Sequence, residues 1–159
     1  MNEDIDTLVS NYNDLIAKDA SVMKRVNEII KKKDELMQKN LDMIADYLDG
    51  IAKKIGDLKI GFYFEIADTP NSKGYFDCNT EGETWRISPS AGRCISRNDF
   101  HPKYTTAVEL VRYWPQIRKA LDFALREYLK KLIQSKVYDQ QQWIQTAEQA
   151  CNAMENFKL

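Results

Sequence analysis

The chain has little of what most catalytic and cofactor sites are made from. Its single histidine, His101, stands before Pro102, and no serine or cysteine motif such as GxSxG lies beside a plausible base. The chain is therefore read as non-enzymatic. Three cysteines, Cys78, Cys94 and Cys151, form no CxxC pair and leave an odd thiol. That fits a reducing, cytoplasmic setting better than a secreted disulfide framework. Cys78, Cys94 and His101 match none of the closed zinc spacings, and Glu81 and Glu83 show no facing acid for paired-carboxylate chemistry. No metal and no cofactor are expected. Glycine is scarce as well, at six residues, and the SPSAGRC stretch has only one, followed by a strand pattern. It does not make a phosphate-cradling loop.

Long apolar runs are missing too. None approaches about 18 residues, and the opening MNEDIDTLVSNYNDL is acidic and periodic, so neither a membrane span nor a signal peptide is expected. An excess of one charge is also absent, since 23 Lys+Arg face 24 Asp+Glu for a formal net charge of -1. The surface as a whole is no polyanion binder, and any basic site must be local.

What is present is periodicity. Apolar doublets recur every seven residues as Leu8/Val9, Leu15/Ile16, Val22/Met23, Ile29/Ile30, Leu36/Met37 and Met43/Ile44, which is a helical repeat. Ile5, Tyr12, Val26 and Tyr47 widen the stripe, while Asp19, Lys33 and Asn40 interrupt that third column. So broad a face suits a helix touching two neighbours, as in a bundle or coiled coil. Near Met37 the pattern shifts by four residues, and the helix is expected to stop at Gly50 or Gly56. Unbroken to Gly50, it would be roughly 70 Å long. Either it projects and pairs with another copy, or Asp19-Ala20-Ser21 is a cap that splits it into a hairpin. Leu8, Leu15, Val22, Ile29, Ile30 and Leu36 are the expected self-association contacts, in a homodimer.

The period then changes. Leu58, Ile60, Phe62, Phe64 and Ile66 alternate with Lys59, Gly61, Tyr63 and Glu65, the signature of a strand with one apolar face. Turn clusters at Asp68–Gly74, Thr80–Glu83 and Pro89–Gly92 separate further strands at 75–78, 84–88 and 93–96, predicting an antiparallel meander. Thr106 and Glu109 have capping-box spacing and start a helix that Pro115 should kink or restart. A break at 136–139 should precede a last helix with Trp143, Ile144, Ala147, Cys151, Met154 and Phe157 as its buried face. The expected fold is a single α+β domain over 1–159. It comprises a long amphipathic helix or helical hairpin (1–56), a four-stranded antiparallel sheet (57–98) and C-terminal helices packed on that sheet (105–158).

The most suggestive stretch is ETWRISPSAGRCISR, residues 83–97. Arg86, Arg93 and Arg97, with Lys59 and Tyr63, either form a cationic and aromatic sheet surface that grips phosphate or an acidic partner, or are solvated side chains around a hairpin. Pro89 and Gly92 already account for the turn. A nucleic-acid surface would add aromatics such as Trp85, Tyr75, Phe76 and Tyr104, which serve a sheet core equally well. The lysines at 31–33 and 130–131 read as solvated helix faces. Two expectations follow. The first is a non-catalytic protein-binding module, most concretely a phage or mobile-element accessory protein that inhibits a host defence protein or nuclease by occupying its surface. The second is a nucleic-acid or phosphate binder using the arginine-bearing sheet.

Overall fold

A computed structural model describes residues 3–67, 73–90 and 93–158. The seven-residue repeat forms one unbroken helix, α1 (Ile5–Ile55), about 76 Å long at 1.5 Å per residue. Asp4 caps it, accepting a 2.7 Å hydrogen bond from the Thr7 amide. Asp19-Ala20-Ser21 does not split it: those residues continue the helix, so the hairpin alternative is not realised. Of the two candidate stops, Gly56 is the one used. It takes φ 66° beyond the last turn, where Lys53 and Lys54 face the carbonyl end, a left-handed conformation that suits a residue without Cβ.

The strands β1 (Ile60–Glu65), β2 (Lys73–Thr80), β3 (Glu83–Ser88) and β4 (Ile95–Ser96) form an antiparallel sheet in the order β1-β2-β3-β4. This is the expected meander, with a longer second strand and a shorter fourth. The turn cluster before β2 lies mostly in 68–72, and the turn before β4 includes 91–92. Both segments are outside the described residues. Positive φ at Asn79, Glu81 and Gly82 closes the β2–β3 hairpin. The Asn79 side-chain amide donates to the Gly56 and Leu58 carbonyls at 2.7 and 2.8 Å, holding the α1–β1 link against that hairpin.

A short 3-10 turn (Arg97–Asp99) leads to α2 (Thr105–Arg112) and α3 (Trp114–Glu155). The expected capping box is not made. The helix is capped two residues earlier, at Tyr104 in place of Thr106, with no side-chain cap bond. Pro115 restarts rather than kinks: the chain turns at Tyr113, and the proline falls in the first turn of α3, where a missing N–H leaves nothing unpaired. No break occurs at 136–139, and α3 runs straight through.

The core lies between one sheet face and the helices. Leu41, Ile44, Leu48 and Ile51 of α1, Ala107 and Leu110 of α2, and Ile117 and Leu121 of α3 cover Phe62, Phe76, Trp85 and Ile87. Tyr128 stacks on Phe62 at 5.3 Å, which seats α3 on β1. Beyond these contacts both long helices leave the core. In α1 every described residue before Met37 is exposed, and in α3 every one from Ile133 onward. The face assigned to Trp143, Ile144, Ala147, Cys151, Met154 and Phe157 is therefore not buried. Its spacing is helical, but no other element among the described residues covers it.

Candidate functional site

Alternation along the strands decides where each arginine goes. The pairing of Cys78 with Trp85 and of Asp77 with Arg86 puts Trp85 on the helix-covered face and Arg86 on the other, outer face. There Arg86 is bound by carboxylates. Its Nη2 donates to Asp77 Oδ2 at 2.6 Å, its Nε lies 3.1 Å from both Asp77 oxygens, and its Nη1 donates to Glu81 Oε2 at 2.7 Å. Asp77 is fully buried, and a buried carboxylate persists only with a partner. The Asp77 hydrogen bond raises the Arg86 pKa above its already high value, so the guanidinium stays charged. Burial, and then the Asp77 carboxylate, push the Tyr75 phenol upward.

Arg97 lies toward α1 instead. Its Nε donates to Asp49 at 2.8 and 3.0 Å, and the Trp85 indole N–H donates to the same carboxylate at 2.8 Å. Asp49 thus ties α1 to β3 and to the 3-10 turn. Burial alone would raise its pKa, but the hydrogen bonds from Arg97 and Trp85 outweigh that and leave it below the ordinary carboxylate value of 3.8. A depressed carboxylate stabilises the fold fully above its unfolded value, and that contribution is lost as the pH falls through the folded one. Asp49→Asn is expected to be less stable than the parent at pH 6, with the difference narrowing below pH 4 in denaturant titrations. An unchanged difference at acid pH would mean that the charge of Asp49 contributes nothing.

The arginines therefore do not gather on one surface. Arg86 is neutralised on the outer face, Arg97 is paired toward α1, and Arg93 is exposed just before β4. Lys59 and Tyr63 are exposed. What the outer face does assemble is Tyr63 against Tyr75, with ring centroids 4.9 Å apart and Lys73 Nζ 4.9 Å from the Tyr63 centroid, next to the Asp77–Arg86–Glu81 network. Asp77 was missed in the sequence, although a signal existed. A two-residue turn at Glu81-Gly82 sets the hairpin register and brings Asp77 opposite Arg86.

The thiols of Cys78 and Cys94 are poorly suited to nucleophilic chemistry. Burial pushes Cys78 up to about 12, with the Asp77 charge adding to it. Burial also raises Cys94, which lies near Arg86 and Asp77. His101 is exposed, and its Nδ1 accepts from the Lys103 amide at 3.2 Å. Among the described residues no group of three His, Cys, Asp or Glu side chains is placed to hold a metal.

Two larger features remain. The first is the apolar stripe of α1. From Ile5 to Leu36, twelve large apolar side chains are exposed, including Leu8, Leu15, Val22, Ile29, Ile30 and Leu36 at 51, 62, 54, 58, 49 and 51%. The second is a groove of about 810 Å³ between the last turns of α1 and the first half of α3. Tyr47, Ile51, Ile55, Leu58, Leu125 and Leu129 give it an apolar lining, while Lys54, Arg118, Lys119 and Arg126 outnumber Asp46 and Asp122 around it. Arg118 lies over the Tyr47 ring at 4.8 Å, and Trp114 meets the same ring edge-on at 5.4 Å. In comparisons with known proteins, no family model, no curated protein and no solved structure matches this chain.

Proposed function

We propose that this protein is a non-catalytic protein-binding module that works through its uncovered helices and self-associates through α1. The observation that carries this reading is the exposed stripe from Ile5 to Leu36. A helix that leaves its core for more than thirty residues has only its own hydrogen bonds to hold it, and helices gain most of their stability from covering an amphipathic face. Covering twelve half-exposed side chains contributes about 1 kcal/mol each, on the order of 20 kcal/mol for two such helices. That exceeds the roughly 4–15 kcal/mol lost in association. Homodimerisation is the simplest way to realise it.

The exposed part of α3, with Ile133, Tyr138, Trp143 and Ile144 bare, is the surface left for a different protein. The narrower form of the proposal is inhibition of a host defence protein or nuclease by a phage or mobile-element factor, and it is tested by co-purification from the native host with and without Trp143→Asp. The phosphate-binding alternative draws less support, because two of its three arginines already bind carboxylates. It requires binding to short DNA or RNA that weakens steeply with salt, and Arg93→Ala should then reduce that binding.

Self-association is tested by sedimentation. The parent chain is expected to run as a dimer at tens of micromolar, and Ile30→Asp as a monomer that keeps the near-ultraviolet signal of buried Trp85. Ile30 is half exposed in one chain, so a charge there breaks contacts between copies without unfolding the core. A monomeric parent would sink the reading.

A further inference from the structure

We infer that two copies pair antiparallel along α1, and that the acidic first turns of each α1 seat in the α1–α3 groove of the other copy. This rests on the proposed self-association and specifies its geometry. The buried face of α1 shifts by four residues near Met37 into the core, but the sevenfold columns run on into the groove. Counting by sevens, Tyr47 and Lys54 fall in the column of Ile5, Gly50 in that of Leu8, and Ile51 in that of Val9, and all four line the groove. A helix lying on the bare stripe and running toward the core therefore meets the start of α3 and enters the groove.

Charge selects the direction. The third column of the stripe carries Asp19 and Lys33. In a parallel, in-register pair each would face its own kind, two like-charge contacts within an apolar seam. In an antiparallel pair centred on Val26, Asp19 of each copy comes level with Lys33 of the other. The same register brings Ile5 level with Tyr47 of the second copy, at the groove. Between residues 3 and 17 the chain carries Glu3, Asp4, Asp6 and Asp14 and no Lys or Arg, matching a groove where four cations face two carboxylates. Parallel pairing would instead set two acidic ends side by side and leave both grooves open. The basic column Lys18, Arg25, Lys32 and Lys39 does run past its own copy in the antiparallel arrangement. Asp14, Glu28 and Glu35, four residues before Lys18, Lys32 and Lys39, offset that repulsion along each helix.

A charge-exchange series tests this on the full chain by sedimentation. Asp19→Lys alone and Lys33→Asp alone should each weaken the dimer by roughly tenfold or more, because each sets like charges level twice. Mixed in equal amounts they should form a heterodimer, in which every Lys–Asp contact is restored. The Asp19→Lys/Lys33→Asp double variant should again form a homodimer. Small-angle scattering of the parent should show two globular units about 60 Å apart, from 1.5 Å per residue between Tyr47 and the centre of the pair. If Asp19→Lys dimerises like the parent, or the units lie side by side, the antiparallel inference is overturned while self-association stands. A parent that never dimerises overturns both.

Discussion

Arg86→Ala should lower the unfolding free energy by about 3–5 kcal/mol, because it strands the buried Asp77 carboxylate. The side chain looks like an ordinary surface cation on a strand, for which truncation costs little. Its environment says otherwise: Asp77 is fully buried and Arg86 supplies three contacts to it at 2.6–3.1 Å. For a chain of this size the loss corresponds to a fall in thermal midpoint on the order of 10 °C. Arg86→Lys should lie between, since an ammonium cannot reproduce the planar two-point contact. Combining Asp77→Asn with Arg86→Met should cost less than Arg86→Ala alone, because it removes the charge together with its partner. A thermal midpoint for Arg86→Ala within 2 °C of the parent would return this arginine to the class of solvated side chains.

The second large effect is expected at Trp85, among the bulkiest fully buried side chains. Trp85→Ala removes the centre of the sheet's inner face, where the indole meets Phe100 edge-on at 5.3 Å. It also takes away the N–H that binds Asp49. Large aromatic truncations in a core cost about 3–5 kcal/mol. Trp85→Phe separates the two contributions, since it keeps most of the apolar contact and loses the hydrogen bond, typically about 1 kcal/mol. Chemical denaturation of the three proteins decides between them. If Trp85→Phe is as damaging as Trp85→Ala, the Asp49 contact rather than packing holds this part of the core.

The two predictions concern adjacent residues with opposite fates, and that contrast shows how far the sequence could be read. Periodicity alone fixed α1 as a helix and β1 as a strand with Phe62 and Phe64 inward. Both follow because the spacing of side chains around a helix or across a pleat is a local property of the backbone, and the glycine-bearing cluster at 80–83 marked the β2–β3 turn. The candidate arginine surface was not local. Whether Arg86 and Arg97 converge depends on the face each strand position takes and on what lies opposite. The hairpin register gave Arg86 to Asp77, and the packing of α1 gave Arg97 to Asp49.

Burial along the helices was likewise undetermined by the sequence. A heptad stripe states that a face gains by being covered, and the same stripe fits a hairpin, a bundle or an extended arm. Only the tertiary structure shows that the small sheet and α2 bury none of the described residues of α1 before Met37, and that α3 is exposed from Ile133 onward. The reason is geometric. A sheet whose three longer strands run six to eight residues spans roughly 20–27 Å along its strands, and helices of 51 and 42 residues must outrun it.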